Sequence, residues 1–306
     1  MSYRYFHSFR DFNDSGEEVI LHGFENDTYV NIWDFSVVYA LTKRLSLSAE
    51  LPIQYGSRRN KFEHDFVHFH TSRAFGAGDI RLAASYWILD PAKYRHYNVS
   101  VSLGVKVPSG QDDITDTFLR QGGRTAERPV DLAIQPGDGG WGILLGINAF
   151  TEVYKNGFLF FQGTYLSNPR ETNHVQVSVG DQPAVTGPDP GQKFNSVPDQ
   201  WLVRSGFTTA IWPQYGLSGS IGVRWEGIPA HDLIGGSDFY RLPGYSVSFE
   251  PGIAISRGRN SLAITAPWAI YRKGLPSVPD MRVHSPFAGI SSFADYQINV
   301  TFSHLF

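Results

Sequence analysis

The sequence predicts an all-β protein, a closed antiparallel transmembrane β-barrel of twelve strands with short periplasmic turns and long extracellular loops. Three observations predict this fold. Apolar and polar side chains alternate along most of the chain, short and long connections follow each other in turn, and the chain ends on an alternating segment whose last residue is Phe306. A sheet in lipid must close to satisfy its backbone, and a closed sheet with a polar interior shows this pattern.

Composition agrees with a barrel and excludes several other classes of protein. The 306 residues contain no run of 18 apolar residues, which excludes transmembrane helices. Cysteine is absent, so disulfides and thiol chemistry are excluded. A net charge of -3 provides no basic surface for nucleic acid. The 14% aromatic residues and 31 glycines fit aromatic girdles and crowded barrel walls.

The strands are predicted from alternation, because successive side chains of a strand point to opposite faces. Five segments alternate over more than five consecutive residues, which a helix does not imitate: 45–57, 78–90, 97–108, 215–227 and 245–256. Less regular strands fit 28–41, 140–154, 157–167, 200–213 and 260–272, a poor one fits 17–25, and the terminal strand covers 294–306. We expect Leu47, Val101, Val223 and Val300 to face lipid, and Ser48, Ser102, Ser220 and Asn299 to face the interior.

The connections fall into two lengths. Short turns are predicted at 42–44, 91–96, 155–156, 213–215 and 257–259, and long loops at 58–77, 109–139, 168–199, 228–243 and 273–293. A soluble sandwich has no reason to segregate its loops by length, whereas an outer-membrane barrel does. One exception is a short outer loop from Glu25 to Thr28.

The even strand count places both chain ends in the periplasm. Residues 1–16 are therefore predicted to be a polar, periplasmic N-terminal lead segment, and residues 17–306 the barrel domain. Residues 1–6 lack the apolar core of a signal peptide, so we expect a signal peptide to have been removed from a longer precursor.

The terminal strand predicts location and assembly. Tyr296, Phe302 and Phe306 lie on its apolar face, and the strand resembles the C-terminal recognition strand of bacterial outer-membrane barrels. This resemblance implies the outer membrane of a Gram-negative bacterium, with the barrel-assembly machinery as a partner during biogenesis. The mature barrel would contact the lipid bilayer and lipopolysaccharide.

Charged residues occupy predicted interior positions. Arg204 and Arg224 lie equally far from one short turn, and Arg81 and Lys106 from another, so the four are expected to form a basic band near the outer end. The acidic interior residues are Glu50 and Glu250, expected near mid-height, and Glu226, expected close to the outer rim. Two interpretations remain open: a structural salt-bridge network, or a selectivity constriction built from charged rings.

Two loops contain possible metal ligands. They are His64, His68 and His70 in one loop, and Asp112, Asp113 and Asp116 in the next. Their spacing matches no established ligand motif, so we predict hydrated surface loops with no metal and no cofactor. The phenylalanines between the histidines favour a loop that packs over the barrel mouth. Catalytic motifs are absent, and the outward-facing His304 fits an interfacial girdle, so no enzyme is predicted.

Several short motifs resemble a known family. They are Ser8-Phe-Arg-Asp-Phe12 followed by Glu17-Glu18, Gly76-Ala-Gly-Asp-Ile80, Gly104-Val-Lys-Val-Pro-Ser-Gly110, Asp131-Leu-Ala-Ile-Gln-Pro-Gly-Asp-Gly-Gly-Trp-Gly142, Ser196-Val-Pro-Asp199, Glu226-Gly-Ile-Pro229 and Asp232-Leu-Ile-Gly-Gly236. Together they resemble the outer-membrane transporter family named for the meta-pathway of phenol degradation, the last three being similar to an uncharacterised subgroup. The resemblance implies an outer-membrane channel or transporter.

The polar lumen predicts a channel for passive passage of small solutes. A plugged structural or partner-binding barrel without flux is the first alternative, and a lipid-modifying enzyme at the membrane rim is the second. Single-channel conductance separates the first two functions, and an esterase assay tests the third.

Overall fold

A computed structural model describes residues 1–19, 26–182, 189–283 and 288–306. Its main sheet contains fourteen antiparallel strand segments, and the first segment pairs with the last, so the sheet is closed. Two wall strands are each interrupted into two segments, which leaves twelve strands, the predicted number. No helix among the described residues is long and apolar enough to cross a membrane.

The wall strands follow one another around the barrel in chain order. They are Ser2–Ser8, Asp27–Ala40, Leu45–Asn60, His70–Ala77 continued by Ile80–Trp87, Tyr97–Val107, Gly142–Tyr154, Gly157–Ser167, Gln200–Trp212, Leu217–Ile228, Gly244–Arg257, Asn260–Thr265 continued by Trp268–Gly274, and Tyr296–His304. The bounds of the last eleven agree with the predicted strands to within a few residues, apart from the segment His70–Ala77, which the prediction assigned to a loop.

The first wall strand is not the predicted one. Ser2–Ser8 pairs with Thr28–Asp34 on one side and with Tyr296–Thr301 on the other, which leaves no place in the wall for residues 17–25. Glu18–Val19 instead joins a small sheet with Asp11–Phe12 and Ser291–Ser292, and residues 20–25 of that predicted strand lie outside the described residues. The start of the lead segment is therefore barrel wall. Tyr3, Tyr5 and His7 already alternate with Ser2 and Arg4 in the sequence, but the run is short.

With Ser2–Ser8 as the first wall strand, the predicted short outer loop from Glu25 to Thr28 is no longer a separate connection. The connection after Ser8 extends to Asp27, so it is long, and Glu25 of the predicted short outer loop lies outside the described residues. All long loops now leave one end of the barrel, which we call the loop end. All short turns lie at the opposite end, the turn end, where the Met1 amino group donates to the Phe302 carbonyl oxygen at 3.0 Å.

Apolar side chains cover the outer wall between two aromatic belts. Leu103 and Ile221 remain more than half exposed on this surface, as lipid-facing residues do. At the loop end the rings of Trp201, Trp225, Tyr245 and Tyr271 stand in series, with centroids 4.7, 6.1 and 5.9 Å apart. At the turn end the pair Tyr94 and Tyr97 has centroids 5.6 Å apart. The wall therefore has the polarity of a transmembrane barrel.

The largest buried apolar cluster lies inside the loop end. Its buried members are Val30 and Ala74 from the wall and Phe118, Val130 and Ile134 from the connection 108–141. That connection forms a hairpin, Thr115–Arg120 with Arg124–Pro129, before it returns to the wall at Gly142. A long loop thus folds inward and supplies most of the core that the barrel encloses.

Candidate functional site in the barrel lumen

Two adjoining cavities occupy the lumen beneath the inward loop. The larger has a volume of about 460 Å³ and the smaller of about 240 Å³. Both are lined by Arg4, Ile32, Gln54, Arg81, Leu166, Gln200 and Ile228. The larger one adds the apolar side chains Phe6, Val30, Leu144 and Leu202 and the charged pair Arg224 and Glu226. The space is amphipathic, with both apolar and charged lining.

Arg204 and Arg224 lie side by side, because they are register partners on adjacent strands. Arg204 forms a fork with the Glu250 carboxylate and donates to Gln162 Oε1 at 2.8 Å. Arg224 donates to Glu226 Oε2 at 2.6 Å and lies 4.0 Å from Glu250. Two guanidinium groups therefore face two carboxylates.

Gln297 completes this group from the closing strand. Its amide donates to Glu226 Oε1 at 2.5 Å, which joins the network to the end of the chain. We call Arg204, Arg224, Glu226, Glu250 and Gln297 the arginine–glutamate network. The two positive and two negative formal charges of this network cancel.

The remaining interior cations are also paired. Arg81 lies opposite Lys106 in the register, and its Nη1 is 3.5 Å from Glu50. Arg4, on the strand that sequence reasoning missed, donates through Nε and Nη2 to the two oxygens of Asp34 at 2.7 and 2.9 Å. The two pairs Arg81–Lys106 and Arg204–Arg224 are register partners, as their spacing predicts, and acidic partners offset their charge.

Lys106 anchors the inward loop. It is 2% exposed, and its ammonium contacts the Asp138 carboxylate of the loop and lies 3.7 Å from Asp79 of the wall. Burial raises the pKa of the Asp138 carboxyl, while the Lys106 charge opposes that rise. Asp79 also accepts backbone N–H groups from Gly110 at 2.9 Å and Asp138 at 3.2 Å. Lys106 therefore connects loop and wall.

A second anchor is Gln54, on the wall strand Leu45–Asn60. The Gln54 side chain donates to the carbonyl oxygens of Ile134 at 3.1 Å and Gln135 at 3.0 Å. Gly56, two residues further, leaves room for the loop, because a Cβ there would lie 2.6 Å from Ile134 Cβ. Gln135 in turn donates to the Ile114 carbonyl at 3.0 Å, closing the loop on itself. The loop is held by specific polar contacts as well as by apolar packing.

The glycine-rich motifs have a structural explanation. A Cβ on Gly110 would lie 2.7 Å from the backbone of Gly78, and one on Gly137 would lie 2.8 Å from the backbone of Gly110. Three motifs that are far apart in the sequence therefore meet backbone to backbone. Only residues without side chains permit this approach between the wall and the inward loop.

The two motifs that contain Asp199 and Asp232 contact each other. The Asp199 backbone donates to Asp232 Oδ1 at 2.8 Å, and Arg241 forms a fully buried fork with both Asp232 oxygens at 2.6 Å. Asp199 itself accepts from Tyr165 OH at 2.8 Å. These contacts connect the loops 168–199 and 229–243 to the wall. Both motifs therefore anchor long loops to the barrel wall.

The predicted lumen residues divide into two groups. The first group lines the cavities: Arg81, Lys106, Arg224 and Glu226. The second group does not line them but contacts charged neighbours: Arg204 contacts Glu250, and Glu50 contacts Arg81. Sequence reasoning missed the interior residues Arg4, Asp34, Asp138 and Gln162, and it placed Gln54 and Asp79 on inward faces without giving them a role. Asp34 and Gln54 alternate with outward residues in predicted strands, so that signal was available. Asp138 enters the lumen from a loop, for which alternation gives no signal.

The terminal aromatic residues lie outside the lumen. Phe306 is fully exposed beyond the last strand, and Phe302 remains half-exposed on the outer face. Tyr296 lies near the loop end, where its hydroxyl is 3.2 Å from His7 Nδ1. His304 contacts Asn260 Oδ1 at 2.8 Å at the turn end.

The loop with the aspartates and the loop with the histidines differ in what their side chains contact. Asp116 accepts the backbone N–H groups of Arg73 at 2.8 Å and Thr117 at 2.7 Å, so it is a loop anchor. Burial raises the pKa of the Asp112 carboxyl. Among the described residues, one group of three or more possible metal ligands comes together: Asp65, His68 and His70, with His64 beside them.

Comparison with known proteins supports the fold. No family model matches the chain, and no curated protein matches it. Among solved structures, an outer membrane channel from Pseudomonas putida F1 superposes with a TM-score of 0.60 at 13% identity, covering 100% of this chain and 93% of that one. The beta domain of the Bordetella autotransporter BrkA gives 0.51 at 10% identity, with 100% and 98% covered. The chain is thus a closed twelve-stranded antiparallel barrel of the outer-membrane type.

Proposed function

We propose that this protein is an outer-membrane channel for passive passage of small solutes through a polar, charge-lined lumen. The observation that carries the proposal is the pair of adjoining cavities, lined by inward side chains of the wall strands. The likeness in fold to the Pseudomonas putida channel supports the same assignment.

The lining favours small amphipathic solutes. Arg4 and Arg224 place guanidinium groups on a space that Phe6, Leu144 and Leu202 make partly apolar. A solute with a small apolar body and a polar or anionic end can contact both kinds of surface. The resemblance to the family named for phenol degradation agrees with such a solute, and the arginine–glutamate network favours one that carries a polar end.

We also propose location and partners. The exposed apolar wall between aromatic belts supports residence in an outer membrane, in contact with lipid and lipopolysaccharide. The terminal strand supports recognition by the barrel-assembly machinery. We assign no catalytic role, because neither the motifs nor the lumen suggests one.

A barrel without flux is the second candidate. The inward loop supports it, since Phe118, Val130 and Ile134 are completely buried where a solute would enter. In this function the loop is a permanent plug, and the cavities beneath it are hydrated packing defects.

Planar-bilayer recordings distinguish the two functions. We expect discrete conductance steps from the tag-free parent, and larger steps from a variant in which residues 115–129 are replaced by a short Gly-Ser linker. Conductance from the variant alone would show that the hairpin seals the parent barrel, which would support the barrel without flux. Silence from both proteins, each shown to be folded by heat-modifiable migration, would contradict transport and support the plugged barrel.

A further inference from the structure

The loop between Asn60 and His70 brings three potential metal ligands together. Asp65, His68 and His70 each offer one ligand atom, and these atoms lie within 4.8 Å of one another. Ligand atoms around a tetrahedral zinc ion lie about 3.3 Å apart, given metal–ligand distances of about 2.0–2.2 Å. The side chain of His68 is 69% exposed, so a small rotation of its ring can bring the ligand atoms to this spacing.

Two ring nitrogens in this group have no hydrogen-bond partner among the residues that the structure describes. His70 Nε2 and His64 Nε2 are both buried without a hydrogen bond, and the two rings have centroids 5.1 Å apart. Buried polar groups are normally hydrogen-bonded, so an unpartnered imidazole nitrogen next to two other ligands needs an explanation. A bound ion satisfies the His70 nitrogen directly.

His64 has a different role from the other three residues. Its Nδ1 accepts the Leu119 backbone N–H at 3.4 Å, so in the neutral ring Nε2 carries the proton and cannot ligate. The ring also stacks on Phe118, with centroids 4.9 Å apart. His64 therefore packs the loop against the hairpin that covers the mouth, and three residues remain as ligands.

The loop is already ordered around the group. Asp65 Oδ1 accepts the backbone N–H groups of Val67 at 2.9 Å and His68 at 2.8 Å, and its Oδ2 lies 2.8 Å from His68 Nδ1. Glu63 fixes the start of the loop through a buried contact with Arg58 at 2.6 Å. A site that is nearly assembled loses little conformational entropy when an ion binds.

From this geometry we propose that Asp65, His68 and His70 bind a divalent transition-metal ion of the zinc class at the loop end of the barrel. Two imidazoles and one carboxylate suit Zn²⁺, since imidazole and carboxylate are both common zinc ligands. Water completes the coordination, entering beside the exposed His68. Through His64, which stacks on Phe118, the ion fixes the loop next to the hairpin over the mouth. The sequence spacing predicted only a hydrated loop, because it does not show that residue 70 turns back towards residue 65.

Isothermal titration calorimetry of the tag-free protein in detergent, stripped with EDTA and then freed of EDTA, tests the proposal with ZnCl₂ as the probe. We expect one site per chain with a dissociation constant in the micromolar range or tighter. His68→Ala and His70→Ala should each weaken binding tenfold or more. His231→Ala, which changes an exposed histidine of another loop, is the matched control and should bind as the parent does.

A second measurement uses the parent alone, in case a variant fails to fold. Zn²⁺ should protect His68 and His70, but not His231, from diethyl pyrocarbonate, as read by mass spectrometry of the peptides. Absence of binding heat from the parent would overturn the proposal. So would equal binding by the parent, His68→Ala and His70→Ala, or equal protection of all three histidines.

Discussion

At the scale of single residues, the interior charges act as pairs. Arg204 and Arg224 face Glu250 and Glu226, so the parent lumen has balanced charge at this height. The spacing of the two arginines from their shared turn predicted that they lie side by side, and they do. The spacing did not predict which acids they contact, because the direction in which a side chain turns along the wall is not contained in the register.

Because the charges of the arginine–glutamate network balance, removing the charges of one sign should change the ion preference of the channel. Replacing both Arg204 and Arg224 with Gln leaves two carboxylates without cationic partners, so the reversal potential under a salt gradient should move towards cations. The reciprocal variant, Glu226→Gln with Glu250→Gln, should move it towards anions. Both shifts should be larger in about 0.01 M salt than in 1 M salt, because the Debye length falls from about 30 Å to about 3 Å.

The measurement is the permeability ratio of folded protein in planar bilayers. Shifts of the same sign in the two double variants would show that pore shape, and not these charges, determines ion preference. An unchanged ratio in both variants would restrict the network to a structural role.

A second residue-level prediction concerns Gly56. Replacing it with Val puts a side chain where Ile134 now lies, 2.6 Å from the position of the new Cβ. Overpacking of this kind costs about 1–3 kcal/mol, which should release the inward loop rather than the wall strand, since the strand is hydrogen-bonded on both sides. We expect trypsin to cut after Arg120, which is buried in the closed loop, about tenfold faster or more, because cleavage there follows the population of the open loop.

Gly163→Val is the matched control. Gly163 is also in a wall strand but faces outward, and its nearest neighbour is the side chain of Ile147 at 3.1 Å. Its cleavage rate should stay near that of the parent. Equal rates in the parent and Gly56→Val would show that packing against Ile134 does not hold the loop.

At the scale of elements, the terminal strand combines two tasks. Its inner part closes the barrel through pairing with the first strand, while Phe306 extends beyond the last paired residue and is fully exposed. Since Phe306 is exposed, it adds little to packing in the folded state. Its exposure suits recognition during assembly, the role that the resemblance of this strand to C-terminal recognition strands implies.

Deleting Phe306 should therefore reduce yield more than stability. We expect less folded, heat-modifiable barrel in the outer membrane of cells, but an unfolding midpoint in urea close to that of the parent for protein refolded into detergent. Deleting the exposed loop residue Gly122 is a control for a one-residue shortening. Unchanged yield in cells would contradict a recognition role.

Strand length and regular alternation explain why some elements were predicted from the sequence and others were missed. Eleven wall strands are long enough for alternation to be read from residue types. Ser2–Ser8 has seven residues, and its inward Phe6 breaks the polar pattern, so the sequence alone favoured a lead segment. Phe6 faces inward because the inward loop makes the upper lumen partly apolar, where it packs near Val30. The inward loop itself has no periodicity, and its position depends on contacts such as Gln54 with Ile134 that become visible only in the folded chain.

At the scale of the whole molecule, closure depends on the first and last strands. Ser2–Ser8 pairs with residues on both neighbours over its full length, and Arg4 ties it inward to Asp34 at 2.7 Å. Without this strand the two flanking strands would have unpaired edges in lipid. Each unsatisfied backbone group there costs several kcal/mol. If residues 1–16 were only a lead segment, their removal would leave the barrel intact.

Removing residues 1–8 separates these two possibilities. We expect the truncated chain to give little or no heat-modifiable barrel, both in cells and on refolding into detergent, because the wall lacks its twelfth strand. Arg4→Gln is the matched control, since it keeps the strand and removes one ion pair; it should fold, with a modest loss of stability. Adding a synthetic peptide of residues 1–9 during refolding should restore part of the yield by pairing in the gap. Normal folding of the truncated chain would show that the wall closes without Ser2–Ser8.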